Sequence, residues 1–387
     1  MAEIIRENPV GDFIHDLLDV LESNMFDEVI WVGMHEWLSY VTRVFWMKGY
    51  KFKTAITPVD SRWGQEVYED DEGHTIKITS LDYAREIGNK AVYIIANNYV
   101  EDLKNQLIEM GLSPSRIFGF NNGATYHQEA NNRLTAKLKD GYKPMSHKEI
   151  QGVLLNLLKE FKHFCEEYNL TYYLDGGTLL GAVRHQGFIP WDNDADVVMP
   201  FDDYKKLISL YPSGGKYELI DWSNNDKHRK GFAELGYNDT CVHNPYYVVV
   251  EPVHIDIFPV IEYPDDLHEM DMLCKTCAKL SQQWRECAIL SDFGIEDNCE
   301  EIFERFYEKR MWNSNKMGAG YFRTGPIIAH DKKCFSGIRY MTFEGEKFAV
   351  PIGWDDILRA YYRDYMNMPP AEGRVGYPNK CYWKGAR

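Results

Sequence analysis

Long apolar runs are absent from this sequence. Its longest apolar stretches, such as residues 246–250, are far shorter than the roughly 20 residues that cross a bilayer as a helix. Residues 1–8 also lack a basic segment followed by an apolar one, which is the pattern of a signal peptide. We therefore expect a cytoplasmic protein without a transmembrane segment, and we leave peripheral attachment at the inner membrane face open.

Positive charge is scarce as well. The chain has 43 lysines and arginines against 59 aspartates and glutamates, which leaves a formal net charge of −16. A protein this acidic gains nothing from counterion release on a phosphate backbone, so we expect no nucleic-acid partner. No cluster of basic residues offers a site for anionic lipids either.

Cysteine is too sparse for a disulfide framework, since eight cysteines occur in 387 residues. Cys274 and Cys277 form a C-x-x-C pair in a helix-like stretch, and Cys287 and Cys299 follow singly. A structural zinc site needs four ligands, and no second C-x-x-C completes the set. Buried or idle thiols are favoured, and zinc binding by this pair stays open.

Residues 1–125 alternate between strand-like and helix-like segments. A helix over residues 2–24 precedes five short apolar strands, near residues 28–33, 53–57, 75–78, 91–96 and 116–119. This alternation predicts a Rossmann-like α/β domain with a parallel sheet. The glycine spacing that admits a pyrophosphate is missing at residues 33–36, so we expect this domain to bind no nucleotide.

Polar residues with glycine and proline follow, and they predict a linker over residues 126–145. Ser146 and Glu149 then have the spacing of a capping box, and apolar residues recur at helical intervals up to about residue 168. A second domain, residues 146–387, is therefore expected to begin with a long helix.

The residues that carry chemistry lie between 172 and 199. An apolar strand leads into a Gly-Gly-Thr turn and a short helix, and a second strand has Asp192, Asp194 and Asp196 at alternate positions. Alternate side chains of a strand share one face. Carboxylates that converge in this way repel one another unless a cation lies between them, and Mg²⁺ prefers a few carboxylates together with phosphate oxygens. An exposed acidic turn is the simpler alternative, and Asp192 alone also fits a loop-shaping role.

One further acid lies in an apolar strand-like run. Asp256 is flanked by Ile255 and Ile257, and a carboxylate on such a strand is costly without a partner. A metal shared with Asp194 and Asp196 would supply that partner. The absence of side chains at Gly176 and Gly177 would let backbone N–H groups approach a phosphate.

The Gly-Gly-Thr turn, the D-x-D strand and the later aspartate together resemble the nucleotidyltransferase-fold superfamily. The longer string from Asp175 to Asp196, with Phe188-Ile189-Pro190-Trp191-Asp192 inside it, is similar to the LicD family of phosphocholine transferases, to which the fukutin group is related. Residues 343–345, 350–351 and 354–370 also match. The resemblance covers about residues 146–387 and implies an α+β nucleotidyltransferase-fold domain with a mixed sheet.

The resemblance also implies roles for individual residues. Asp194, Asp196 and Asp256 would bind Mg²⁺ or Mn²⁺, and Asp192 would complete the catalytic carboxylates. Either Asp192 or Asp256 would act as general base. The residues that would lie against the donor phosphates are Gly176, Gly177, Thr178 and Arg184, although a surface role fits Arg184 equally well.

The implied substrates are a CDP-linked alcohol and a glycan. CDP-choline is the first candidate for the donor, followed by CDP-ribitol or a related CDP- or CMP-linked alcohol. The acceptor would be a hydroxyl of a surface polysaccharide, a teichoic acid or a lipid-linked glycan, and CMP would be released. Two residues depart from the family pattern: Asn193 stands where relatives often have aspartate, and Arg363 replaces a usual glycine.

Two other classes of function use the same residues. A nucleotidylyltransferase would attach the NMP group to a small molecule, with the same metal site. A non-catalytic glycan-binding protein would keep the fold without turnover, although intact acids at 194, 196 and 256 argue against it.

Overall fold

The structure is a computed structural model that describes residues 2–33, 37–50, 52–69, 75–96, 99–120, 123–138, 141–225, 227–228, 230–294, 314–320 and 327–385. The chain forms two compact units. The N-terminal unit comprises residues 7–133 and 286–297, and the C-terminal unit comprises residues 1–6, 134–285 and 298–387. Residues 34–36, on which the missing glycine spacing depends, lie outside the described residues.

The described residues contain ten helices and eighteen strands. The helices are α1 (Pro9–Glu22), α2 (Leu38–Met47), α3 (Tyr83–Ile87), α4 (Val100–Glu109), α5 (Gly123–Lys137), α6 (His147–Glu167), α7 (Gly176–Arg184), α8 (Phe201–Leu210), α9 (Leu267–Leu290) and α10 (Trp354–Tyr362). The strands are β1 (Ile5–Arg6), β2 (Glu28–Val32), β3 (Thr54–Ile56), β4 (Glu66–Glu69), β5 (Thr75–Thr79), β6 (Ala91–Ala96), β7 (Ile117–Phe120), β8 (Tyr142–Pro144), β9 (Tyr173–Leu174), β10 (Asp196–Pro200), β11 (Tyr217–Ile220), β12 (Ala233–Asn244), β13 (Val249–Tyr263), β14 (Lys316–Ala319), β15 (His330–Asp331), β16 (Ile338–Phe343), β17 (Glu346–Pro351) and β18 (Lys380–Lys384). None of these helices has both the length and the apolar character required to span a membrane.

The N-terminal unit is built on a six-stranded sheet in the order β4-β5-β3-β2-β6-β7. Every neighbouring pair is parallel except β4 with β5. All six residues of β6 are buried and apolar, as expected for a parallel strand that is covered on both faces. The predicted α/β unit with a parallel sheet is therefore confirmed, and its Rossmann-like character stays a prediction.

The first helix starts later than the sequence analysis predicted. It begins at Pro9, after an Asn8 cap whose side chain accepts a hydrogen bond from Gly11 N at 2.9 Å. Proline fits the first helical position because its missing N–H has no partner there in any case. Ile5 falls within the helix predicted over residues 2–24, but it pairs in strand β1 with Val250, and both residues belong to the C-terminal unit.

The predicted linker over residues 126–145 is instead mostly regular structure, made of α5 and β8. The polar composition concealed a narrow apolar stripe at intervals of four residues, and the buried members of that stripe are Tyr126, Ala130, Leu134 and Leu138. β8 pairs with β18 near the end of the chain. The boundary between the two units falls inside α5, at residues 133 and 134.

The C-terminal unit contains a mixed ten-stranded sheet and a separate hairpin, β16–β17, among its described residues. The sheet follows the order β15-β14-β13-β12-β18-β8, and β1, β9, β10 and β11 attach beside this path. The long strand β13 pairs in parallel with β10 and antiparallel with β12. The predicted mixed sheet is present.

Helix α6 covers this sheet, as its sequence predicted. Ser146 Oγ accepts from Glu149 N at 3.3 Å, and Glu149 Oε2 accepts from Ser146 N at 2.8 Å, which completes the capping box. The apolar side of α6 packs on β12 and β13, with fully buried Leu157 and Phe161 in the core. This core supports the strands that carry the candidate site.

Candidate active site

Three carboxylates lie side by side across neighbouring strands. Asp196, the first residue of β10, is the register partner of Asp256 on β13, and Asp256 is in turn the partner of Glu234 on β12. Partners in register project to the same face of a sheet. Ile255 and Ile257 point into the core and are fully buried, whereas 27% of the Asp256 side chain is exposed. Asp256 therefore faces the site, as the sequence predicted.

Asp192 and Asp194 reach the site by a different route from the predicted strand alternation. They lie in a loop before β10, because the strand begins only at Asp196. Gln151 Nε2 donates to Asp192 O at 2.9 Å and holds this loop against α6. Burial raises the pKa of Asp194 to about 8, and the hydrogen bond and charge of Asp192 add to the effect. The acids thus converge, although the strand geometry proposed for the first two was wrong.

Asp196 is in the most crowded electrostatic position of the four. Burial raises its pKa well above the ordinary value, and the charges of Asp194, Asp256, Asp175 and Asp192 raise it further, in that order. No lysine or arginine side chain among the described residues forms an ion pair with Asp192, Asp194 or Asp196. Asp192, Asp194 and Asp196 therefore concentrate negative charge that no lysine or arginine of the described residues pairs with directly.

The two glycines that start α7 allow the carboxylates to approach the helix. A Cβ at Gly176 would lie 2.9 Å from Asp196 Oδ2, and one at Gly177 would lie 2.8 Å from Asp192 Oδ2. Gly176 also has φ = +54°, which a residue with a side chain rarely adopts. A side chain at either position would therefore displace a carboxylate of the site. The predicted contact of both glycines with a donor phosphate stays a prediction.

Thr178 and Asp175 attach α7 to the start of β10. Thr178 is buried, and its hydroxyl accepts from Asp196 N at 2.9 Å, while Asp175 N donates to Asp196 O at 3.1 Å. Burial raises the pKa of Asp175 to about 6, against a hydrogen bond from Gly176 N–H and one from the Tyr361 hydroxyl. The structure therefore gives Thr178 a role in positioning a carboxylate, beside its predicted phosphate contact.

Arg184 contacts the backbone of a later segment. Its Nη1 donates to Tyr365 O at 2.7 Å and to Asn367 O at 3.4 Å. The turn that brings these carbonyls into place contains Arg363 at φ = +56°, a conformation that favours glycine over a residue with a side chain. The predicted phosphate contact of Arg184 stays a prediction.

A buried ionic cluster that was not predicted lies beside Asp256. The ligand atoms of Glu234, Glu251 and His254 lie within 4.8 Å of one another. Lys230 Nζ pairs with Glu234 and lies 3.1 Å from Glu251 Oε1, so an ammonium group already balances the two glutamates. Glu234 and Glu251 interrupt apolar strands in the same way as Asp256, and this signal was present in the sequence.

His254 connects the ionic cluster to the carboxylates of the site. Its Nε2 lies 3.2 Å from Glu234 Oε1 and 3.5 Å from Asp256 Oδ1. Burial raises the pKa of Asp256 to about 6, and the charges of Lys230 and His254 oppose that increase. Asp256 is thus the acid of the site with cationic groups close by.

The donor set fits a hard divalent cation. Asp256 Oδ1 is buried without a hydrogen-bond partner, and an unpaired buried carboxylate oxygen usually has a functional explanation. Asp194 and Asp196 add further carboxylate oxygens, and neither forms an ion pair with a lysine or arginine in the part of the chain that the structure describes. Magnesium favours oxygen ligands of this type and keeps positions for water and phosphate oxygens.

Cys274 and Cys277 both lie on α9 as free thiols, and Cys277 is buried. Burial raises the pKa of the Cys277 thiol to about 12, which opposes the thiolate form that zinc requires. Cys299 and the side chain of Cys287 lie outside the described residues, so zinc binding by this pair, which the sequence left open, gains no support.

Comparisons with known proteins agree with the motif. The domain described as "LicD/FKTN/FKRP, nucleotidyltransferase domain" matches residues 169–287. A lipopolysaccharide cholinephosphotransferase LicD of Haemophilus influenzae is 26% identical over 255 residues, which cover 59% of this chain and 95% of that protein.

Two uncharacterized proteins of Rickettsia are also similar over a shorter range. The Rickettsia typhi protein is 32% identical over 105 residues, 27% of this chain and 28% of its own length. The Rickettsia prowazekii protein is 32% identical over 107 residues, 28% of this chain and 33% of its own length. The matched domain contains Asp192, Asp194, Asp196 and Asp256, together with the first turn of α7. The resemblance drawn from the sequence is thereby confirmed, and residues 169–287 are a nucleotidyltransferase domain of the LicD family.

Proposed function

We propose that this protein transfers phosphocholine, or a similar phospho-alcohol, from a CDP-linked donor to a glycan hydroxyl and releases CMP. The observation that carries the proposal is the convergence of Asp194, Asp196 and Asp256 inside a LicD-family domain. Its relative from Haemophilus influenzae is named for cholinephosphate transfer to lipopolysaccharide, which favours choline as the alcohol and a glycan as the acceptor.

Asp194, Asp196 and Asp256 are the residues that would hold Mg²⁺ or Mn²⁺. The unpaired Oδ1 of Asp256 and the crowded carboxylates of the other two are satisfied most simply by a divalent cation. When bound, such an ion neutralises charge on the transferred phosphate and on the departing nucleotide.

Other residues of the chain orient the reactants. The backbone N–H groups at Gly176 and Gly177 would bind the donor phosphates, and Thr178 would keep Asp196 in place through its hydroxyl. Arg184 would act through the segment it holds, residues 365–367, and would add positive charge near the donor.

The reaction joins the acceptor oxygen to the phosphorus that carries the alcohol. The bond from that phosphorus to the bridging oxygen breaks, and the oxygen leaves with CMP. Asp192 is the carboxylate that remains once Asp194, Asp196 and Asp256 hold the metal. We therefore propose that Asp192 acts as the general base and accepts the proton of the acceptor hydroxyl. Asp256 is the alternative base.

The test is CMP release from a panel of CDP-alcohols in the presence of Mg²⁺ and a glycan acceptor. CDP-choline should give the fastest release, CDP-ribitol a slower one, and chelation of the metal should abolish both. Tyr246→Leu, an exposed position in the turn between β12 and β13, serves as a control that should leave turnover unchanged.

The alternative functions give different outcomes in the same assay. A nucleotidylyltransferase would incorporate labelled NMP from an NTP into product and would release no CMP from CDP-choline. A glycan-binding protein would bind the acceptor without metal-dependent turnover of any donor. Either result would overturn the proposal.

We also propose that the N-terminal unit supports the transferase unit or selects the acceptor, without binding a nucleotide. The full-length double variant Asp194→Asn/Asp256→Asn should then bind neither CDP-choline nor NAD in calorimetric titrations. Nucleotide binding that survives in the double variant would place a second site outside the carboxylate cluster and would contradict this division.

A further inference from the structure

A segment near the end of the chain is fixed to the candidate active site at three points. We call residues 361–377 the C-terminal strap. The Tyr361 hydroxyl lies 3.4 Å from Asp175 Oδ2, and Arg184 holds the carbonyls of residues 365 and 367. Asn193, which lies between the two loop aspartates, donates to Tyr377 O at 3.1 Å and accepts from Tyr377 N at 2.9 Å.

The strap lies directly against the loop that carries Asp192 and Asp194. A Cβ at Gly376 would come within 2.3 Å of Trp191 O and 2.8 Å of Asn193 Oδ1. Only glycine fits this close approach, because any side chain would push the strap away from the loop. The backbone of Tyr377 is therefore placed against the acidic loop by the close approach of Gly376 and by the two hydrogen bonds of the Asn193 side chain.

Several apolar side chains of the strap are exposed to solvent. Its exposed apolar residues, with the exposed fraction of each, are Tyr362 (41%), Met366 (57%), Met368 (43%), Val375 (73%) and Tyr377 (61%). Exposed apolar groups that gather at a polar site commonly mark a binding surface. The ligand that fits this one needs an apolar exterior.

Both tyrosines also lie within the electric field of the carboxylates. The charge of Asp194 and burial raise the pKa of Tyr377 to about 12, with smaller contributions from Asp196, Asp192 and Asp256. The pKa of Tyr362 is raised by burial and then by the charge of Asp196. In the chain, Tyr362 follows Tyr361, whose hydroxyl lies 3.4 Å from Asp175 Oδ2, and Tyr377 follows Gly376, which lies against the acidic loop. Much of each tyrosine stays open to solvent.

A trimethylammonium group has the required combination of properties. Its surface consists of methyl groups, and its positive charge cannot be removed or hydrogen-bonded. Such groups are attracted to the faces of aromatic rings and to nearby negative charge. A polyol alcohol has neither property, and a primary ammonium would instead form hydrogen bonds to carboxylates.

We propose that Tyr362 and Tyr377 bind the quaternary ammonium group of the donor and select phosphocholine over uncharged phospho-alcohols. The proposal rests on the proposed function and specifies which part of that donor each ring contacts. Met366 and Met368, on the same strap, supply adaptable apolar surface around the methyl groups.

The experiment compares three ligands in calorimetric titrations of the full-length protein with Mg²⁺. They are CDP-choline, its neutral isostere in which carbon replaces the quaternary nitrogen, and CMP. Wild type should bind CDP-choline about 5- to 30-fold more tightly than the isostere, the range expected for cation–π contacts. Tyr377→Leu and Tyr362→Leu should each reduce this ratio several-fold, while the corresponding phenylalanine variants retain it.

Matched controls separate the possible outcomes. Tyr246→Leu removes another exposed tyrosine, ten residues before Asp256 in the chain, and should leave the ratio unchanged. The proposal is wrong if the leucine variants keep the wild-type ratio, or if wild type binds CDP-choline and the isostere equally. It is also wrong if the leucine variants weaken CMP as much as both donors, because the rings would then stack on the base. If wild type binds none of the three ligands with Mg²⁺, the proposed function itself fails.

Discussion

Replacing Asp256 with asparagine should separate the stability of the metal-free protein from its ability to bind metal. The substitution keeps the shape of the side chain and removes its charge. In the structure this charge faces Asp196 on the neighbouring strand and Glu234 on the other side, with Lys230 and His254 as the opposing cations. The net effect of these neighbours and of burial is unfavourable for the ionised form.

The size of the effect follows from the pKa of Asp256. A value of about 6, compared with the ordinary 3.8, makes the ionised carboxylate less favourable in the folded protein by about 3 kcal/mol. This figure is an upper bound, because Asp194 and Asp196 share the same repulsion. Asp256→Asn should therefore raise the free energy of unfolding of the metal-free protein by up to about 3 kcal/mol at neutral pH.

The pH dependence has a definite sign. A carboxyl group whose pKa is raised on folding stabilises the folded state below its unfolded value, and this contribution is lost as pH rises through the folded value. The advantage of the variant over wild type should therefore grow between about pH 4 and pH 6 and stay constant above that range. Mg²⁺ should stabilise wild type at pH 7.5 and leave the variant nearly unaffected.

Denaturant unfolding in a chelator, and again in excess Mg²⁺, measures both effects. CMP release from CDP-choline should fall by about three orders of magnitude in the variant, since metal coordination is commonly worth several kcal/mol in the transition state. The reasoning is refuted if the metal-free variant is less stable than wild type, or if Mg²⁺ stabilises both proteins equally.

Changes at five further positions test separate contacts of the C-terminal unit. Asp194→Asn and Asp196→Asn should each lower metal-dependent CMP release by about 10³-fold while the protein stays folded, and turnover near wild type would remove these acids from the site. Thr178→Val removes the acceptor of the Asp196 N–H group and should lower the free energy of unfolding by about 1–3 kcal/mol. Thr178→Ser keeps the hydroxyl and should lower it by only about 1 kcal/mol. Equal losses in the two variants would contradict this contact. Arg363→Gly should raise the free energy of unfolding by about 1 kcal/mol in denaturant titrations, because φ = +56° strains a residue with a side chain, and Arg363→Ala should bring no gain. Lys230→Met should lower the free energy of unfolding by about 3–5 kcal/mol, since two buried glutamates lose their ammonium partner. Lys230→Arg should lower it less. A denaturation midpoint equal to that of wild type for the methionine variant would rule out the ionic cluster.

Most regular elements of the N-terminal unit could be predicted from local patterns. The buried run of β6 and the amphipathic helices have periodicities that appear within a few residues of sequence. Helix α5 was missed because nine of its fifteen residues are polar and the apolar stripe is narrow. The start of α1 was misplaced because Ile5 fits both a helical stripe and an edge strand, and its partner Val250 lies far away in sequence.

The structure brings the four predicted acids together, but with a geometry that differs in part from the predicted one. Alternation along one strand suggested that Asp192, Asp194 and Asp196 share a face, but β10 pairs with β13 only from Asp196 onward. The loop before it brings the other two acids to the same place through contacts with α6 and with Asp256 N, which donates to Ala195 O at 2.9 Å. Strand periodicity does not reveal where a ladder begins, because the partner strand sets that point.

Local patterns in the sequence were sufficient to predict the capping box of α6 and the LicD-family domain at residues 169–287. The motif at residues 175–196 can be recognised without a structure because its residues are neighbours in the sequence. Three contacts could not be predicted in this way. They are the hydrogen bonds between Asn193 and Tyr377, the pairing of Asp256 with Glu234, and the ion pairs of Lys230 with buried glutamates. Asn193 and Tyr377 are 184 residues apart, and strand register together with burial, rather than any local preference, brings such residues into contact.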